Sequence, residues 1–250
     1  EMRKKWMFLL AASWLSVAAM AQNAETISVA GASNGKFTAN GNDCRIEGQV
    51  LNGQKEGTWV EYFPGDKFLP KRIVTYANGK KNGLYLEIDN TGSVTKQAEY
   101  KNDILNGQVT CWYRGGRLSR MNSYKDGKLD GRQIICYEKG GVQEESNYLN
   151  DQRHGVCTWF DESGNKLMSI EYNAGKFEGK QETYYSNGRV KSSKVYKDNK
   201  QNGDAREFYD NGALKSEATY KNGELSGNVK SYEKKNTSFI SGNADDGKKH

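Results

Sequence analysis

Residues 196–227 read YKDNKQNGDAREFYDNGALKSEATYKNGELSG, one complete unit of a repeat and the start of the next. A tyrosine opens the unit, a glycine follows seven residues later, and Tyr220–Gly227 begins it again. Outward from this stretch the same frame covers most of the chain. Tyr76, Tyr100, Tyr124, Tyr148, Tyr172, Tyr196 and Tyr220 lie 24 residues apart, and Gly83, Gly107, Gly131, Gly155, Gly179, Gly203 and Gly227 keep that spacing. Gly57 precedes Gly83 by 26 residues, so the first unit holds two extra residues, and both prolines, Pro64 and Pro70, fall inside it. Self-similarity at a fixed period is the mark of a repeat architecture.

Each unit carries two turn signals. Asn78-Gly79, Asp126-Gly127 and Asn222-Gly223 stand just after the tyrosine, and such dipeptides favour the positive φ angles of type I′ turns. Gly92, Gly116, Gly140, Gly164, Gly188 and Gly212 mark a second turn nine residues after the repeat glycine. Between the turns lie short runs rich in Tyr, Val, Thr, Phe and Trp, which suit a pleated surface. Consecutive strands joined by short turns are antiparallel. The expected fold is all-β: an elongated, single-layer antiparallel β-meander of about eight 24-residue hairpin repeats. A leucine-rich repeat would need a Leu-x-x-Leu-x-Leu run, and a parallel β-helix would not need two chain reversals per unit.

Composition agrees with a thin fold. Of the 250 residues only 35% are hydrophobic, mean hydropathy is −0.91, 11% are aromatic, and there are 28 Gly and 2 Pro. One unit cannot bury enough apolar surface to offset its ordering, so stability must come from stacking. Three columns are expected to form stripes along one face. The first is Tyr62, Ile88, Trp112, Cys136, Phe160, Tyr184, Phe208 and Tyr232, and the second is Val94, Leu118, Val142, Val190 and Leu214. The period tyrosines form the third.

The N-terminus reads as an export signal. Arg3, Lys4 and Lys5 precede an uncharged stretch from Trp6 to Met20, and Ala19-Met20-Ala21 gives the small-x-small pattern of a cleavage site. The stretch is shorter than the roughly 20 apolar residues of a membrane span. Residues 1–21 are therefore expected to be a signal peptide, with the mature chain in the periplasm, at the cell surface or outside the cell. No Cys closely follows the apolar stretch, so a lipoprotein is not expected, and no span is expected in the mature chain. Residues 22–47 read as a flexible leader or N-terminal cap, 48–233 as the repeat array, and 234–250 as a degenerate C-terminal cap and tail. Removing residues 1–21 leaves 34 basic and 30 acidic residues, a mild excess with no run of five basic residues, which argues against nucleic acid.

At this point the repeat resembles a known family. The Gly-x-x-x-x-Tyr-Tyr-x-Asn-Gly and Tyr-Lys-Asn-Gly-Lys-x-x-Gly pattern, clearest at Gly179–Tyr196 and Gly203–Tyr220, is similar to MORN repeats, and more narrowly to the bacterial variant of many secreted Bacteroidota proteins. The resemblance covers roughly residues 48–232. It implies a twisted single-layer sheet of hairpins and a non-enzymatic scaffold, with some relatives linked to membranes or phospholipids and others labelled antitoxin components. Asp103, Asp151 and Asn199 depart from it by replacing a turn glycine, which those residue types tolerate.

The chemistry-bearing residues point away from catalysis. Mature histidines are His154, in a turn, and the terminal His250. Cys111, Cys136 and Cys157 fall in three successive units at different positions, so their strands stand too far apart to bridge; Cys44 lies outside that register and could pair. No C-x-x-C spacing or phosphate loop occurs, and Glu144-Glu145 and Asp161-Glu162 read as solvated strand and turn positions. No catalytic, cofactor or metal residues are expected. The candidate binding surface is Phe63, Tyr113, Tyr137, Tyr185 and Tyr209, one residue beyond the first apolar column. Alternation turns these to the opposite face as a partly exposed ladder, or packs them on lysine stems. The expected function is an exported scaffold for envelope protein partners. The alternatives are a module binding cell-wall glycan or lipid head groups, and an immunity- or antitoxin-type partner.

Overall fold

A computed structural model describes residues 27–41, 44–65 and 68–234. The expected signal peptide, the start of the leader, the Cys44 side chain and most of the tail lie outside the described residues. Among the described residues twenty strands form one antiparallel sheet in which, three short strands aside, each strand pairs with the next. Three short strands, Ile104–Leu105, Gln152–Arg153 and Glu224–Leu225, are followed after a break by the strand that continues the same pairing. The meander spans roughly 75 Å along the sheet at about 4.8 Å per strand. No helix among the described residues is long and apolar enough to cross a membrane.

Eight two-residue turns carry positive φ at both positions, from Asn52-Gly53 through Asn222-Gly223, the type I′ conformation. They follow the array in register, so the eight units of the sequence are eight hairpins. Asp103, Asp151 and Asn199 adopt φ of 68°, 66° and 66° where the other turns place glycine. Their side chains do more than tolerate the turn. Each Oδ1 accepts the backbone N–H of the preceding unit, from Lys81, Leu129 and Phe177 respectively, at 2.7–2.8 Å. The turns are also tied backbone to backbone: Gly79 N–H donates to Lys55 O, Asp103 to Lys81, Gly127 to Leu105, and so on to Gly223 and Gln201. Successive hairpins are thus stitched along one edge every 24 residues.

The repeat glycines mark bulges, not turns. Tyr76 faces Lys81 and Val74 faces Tyr85, so two residue steps on one strand oppose four on the other. Gly83 sits in that excess with φ +107°. The opposite hairpin ends close through a five-residue loop, as where Tyr185 N–H donates to Arg189 O and Gly188 N–H to Tyr185 O. The two extra residues of the first unit enlarge one such loop, from Phe63 to Leu69, and Pro70 opens the following strand. The sheet starts before residue 48: Gly35–Gly41 pairs with Cys44–Leu51, so this part of the 22–47 stretch is a capping hairpin.

The core departs from the expected columns. The period tyrosines do pack inward, with Tyr100 and Tyr148 buried and the others half-buried. The Tyr62-to-Tyr232 column is mostly half-buried; only Cys136 is buried, and Tyr232 is exposed. The deepest positions are instead two columns beside the tyrosines. One runs Val74, Ala98, Asn122, Ser146, Ile170, and the other Trp59, Tyr85, Val109, Gln133, Cys157; all are buried. They pair directly across strands, Trp59 with Val74, Tyr85 with Ala98, Gln133 with Ser146 and Cys157 with Ile170. Toward the C-terminus Gln181 and Lys194 take these positions, and no described residue beyond Ile170 is buried. Cys111, Cys136 and Cys157 are free thiols, as their register requires.

Candidate binding surfaces

The five residues of the expected ladder are all half-buried, and four of them are fastened. The Tyr113 hydroxyl donates to Cys136 O at 2.9 Å. Tyr137, Tyr185 and Tyr209 donate to the carbonyls of Phe160, Phe208 and Tyr232, each at 2.8 Å. Each bond spans 23 residues and clasps one unit to the next along the edge opposite the stacked turns. Lysines cover two of the rings, Lys191 over Tyr185 and Lys234 over Tyr209. The partly exposed ladder is therefore also a structural tie. The row is interrupted at Asp89 and Asp161, whose carboxylates accept N–H groups of their own turns instead. The Thr91 hydroxyl on Asp89 and the Asn165 side-chain amide on Asp161, with these N–H groups after them, hold both carboxyls below their ordinary range. Tyr185→Phe should lower stability by about 1 kcal/mol, read from the urea midpoint. Tyr113→Phe and Tyr209→Phe are far enough apart for their losses to add.

A second constellation lies at mid-array. Glu144, expected to be solvated, is buried at 6% exposure, whereas Glu145 is partly exposed and pairs with Arg132. Strand alternation sends the two neighbours to opposite faces. Glu144 accepts Arg153 Nη2 at 2.6 Å, Trp159 Nε1 at 3.0 Å and the Ser146 hydroxyl. The Arg153 guanidinium also lies over the rings of Tyr148, Trp159 and Tyr172. Burial opposes its charge, but Glu144 raises its pKa above the ordinary value. Next to this group, Gln133 Nε2 donates to Asn122 Oδ1 at 3.0 Å. These polar groups satisfy one another and form a core, not an open site. His154, one residue on, is exposed.

The third is an open cleft of about 570 Å³ near the N-terminal end, between residues 27–30 and the first stacked turns. Lys55, Tyr76, Lys81 and Asp103 line it. Lys55 Nζ stands 5.2 Å from the Trp59 ring and 5.1 Å from the Tyr76 ring, and Lys81 Nζ 4.3 Å from the Tyr100 ring. Burial pushes both ammonium groups below their ordinary pKa; Asp103 partly opposes this at Lys81. Burial and then Asp103 push the Tyr76 phenol up. Among the described residues no three His, Cys, Asp or Glu side chains gather as a metal site would require.

The hairpin unit, with its I′ turn, bulge glycine and inward tyrosine, can now be compared with known families. The family described as the MORN repeat variant matches residues 153–174, 177–198 and 201–222. Residues 153–222 carry three consecutive MORN repeats. The matched segments are three consecutive hairpins, and the structure extends the same unit toward the N-terminus, where Val50 takes the place of the tyrosine. MORN repeats are in general non-catalytic binding repeats that engage proteins or membrane lipids. No curated protein matches the chain.

Proposed function

We propose that this MORN-repeat protein is a non-enzymatic, exported scaffold that engages protein partners in a bacterial envelope. The observation that carries the reading is the edge row of Phe63, Tyr113, Tyr137, Tyr185 and Tyr209. Four of these residues hold their hydroxyls in inter-unit bonds, so their partly exposed rings are held rigid along the sheet. Rigid aromatic rings are favoured anchors of protein interfaces because little side-chain freedom is lost on contact. Export rests on the charged start, apolar stretch and Ala19-Met20-Ala21 of residues 1–21.

The test immobilises residues 22–250 and captures partners from an envelope fraction. One protein set should be recovered and then lost when Tyr137 and Tyr185 are replaced by serine, with the circular dichroism spectrum unchanged. Retention on peptidoglycan or vesicles with no protein captured would replace the scaffold reading by glycan or lipid binding. Export is checked separately by N-terminal sequencing of the secreted chain, which should begin at Gln22.

A further inference from the structure

The cleft beside the first stacked turns holds two lysines at a repeat position that most other units fill with an uncharged side chain. Lys55, Lys81 and Arg153 occupy one position in their respective units; Leu105, Leu129, Phe177, Gln201 and Leu225 occupy it in the others. Arg153 is answered by the buried carboxylate of Glu144. Lys55 has no such partner among the described residues, and its half-burial is relieved by no counter-charge. Lys81 feels Asp103, but one oxygen of that carboxylate already accepts the Lys81 backbone N–H at 2.8 Å. Two ammonium groups against one carboxylate leave the cleft one positive charge in excess.

The remaining lining is mixed, with Ser28 and Gln54 as its polar side chains. Ile27, Val29 and Ala30 form an apolar wall of the same cleft that Tyr76 lines. This wall is anchored: Val29 is buried with Val50 and Trp59, and Val29 O accepts Ala32 N–H at 3.1 Å. The volume falls within the range of small-molecule sites and exceeds what a bare ion needs. Lys55 and Lys81 sit two strand spacings apart, roughly 10 Å between Cα atoms, and their flexible stems let both ammonium groups turn to one anion.

We propose that this cleft binds a small organic acid, its carboxylate between Lys55 and Lys81 and its apolar body against Val29 and the Tyr76 ring. One negative charge completes the electrostatics, and the apolar body covers the Tyr76 ring. The site stands independently of the scaffold reading, because it uses neither the edge tyrosines nor a protein partner.

The experiment is a titration followed in amide NMR spectra, at constant ionic strength, with hexanoate, acetate and the neutral hexanamide. Hexanoate should shift the Gly53 and Gly79 amides saturably; acetate should bind more weakly, and hexanamide not measurably. Lys55→Met, which keeps the stem and removes the charge, should weaken hexanoate at least about tenfold. Lys55→Arg should retain binding, and Lys101→Met, elsewhere in the array, should leave it unchanged. No saturable shift in the unmodified protein would overturn the proposal. So would hexanamide binding as well as hexanoate, or undiminished binding by a folded Lys55→Met variant.

Discussion

Replacing Glu144 with alanine is expected to cost about 3–5 kcal/mol of stability, measured by urea denaturation, the usual penalty for removing one partner of a buried ion pair. Three donors converge on this carboxylate: Arg153, Trp159 and Ser146. Without it, a guanidinium only 17% exposed keeps its charge among the rings of Tyr148, Trp159 and Tyr172 with no anion in contact. The indole N–H loses its acceptor as well. The double variant Glu144→Leu, Arg153→Met should recover much of the loss, since removing both charges also removes their desolvation. Lys139–Glu162, at 84% and 62% exposure, is the control: Glu162→Ala should change stability by less than about 0.5 kcal/mol. Equal losses at Glu144 and Glu162 would show that the mid-array carboxylate is solvated after all.

Glu144 also shows where a sequence reading of such a sheet stops. The turns are legible because Asn-Gly and Asp-Gly have a local reason to bend the chain, and all eight fall where the period places them. The tyrosine column is legible because one residue type marks it. The two deepest columns are not, since they mix Trp59, Val74 and Ala98 with Asn122, Gln133 and Ser146. Polar residues at mid-array break the apolar pattern that a reader scores, although Gln133 and Asn122 bond across strands and Ser146 bonds Glu144 along its own strand. The apolar Tyr62-to-Tyr232 column draws attention instead, yet it lies where the strand pairing shifts register, as between Glu87 and Ile88, and stays mostly half-buried. The candidate ladder was legible as a position, but the phenol bonds to the next unit were not, because carbonyls 23 residues away leave no mark in composition. The N-terminal cleft was equally invisible: Lys55 and Lys81 look like any surface lysines until the capping segment is laid beside them.

The same cross-strand logic predicts a large effect from the smallest possible side chain. Gly48→Ala should lower stability by about 1–3 kcal/mol or more, the range for overpacking a filled core. Gly48 lies where the next units place Val74 and Ala98, next to Trp59, the largest residue of the facing column and only 3% exposed. A Cβ at Gly48 would stand 2.6 Å from Trp59 Cγ and closer still to two other ring carbons. No positive φ is involved, so the whole penalty is steric. The indole is held from several sides, by Phe37 at 5.6 Å, Tyr76 at 6.2 Å and the Nε1 bond to Glu56 O at 3.2 Å. It can give way only by disturbing all three. Trp59→Leu alone should also destabilise, by loss of buried area. Combined with Gly48→Ala it should cost less than the two separate losses added together, because the methyl then fills space the ring has left. Strict additivity in thermal and urea unfolding of the four proteins would mean that the two columns do not compensate in volume. A negative coupling would show that Gly48 and Trp59 share one volume across adjacent strands, the missing side chain of one making room for the ring of the other.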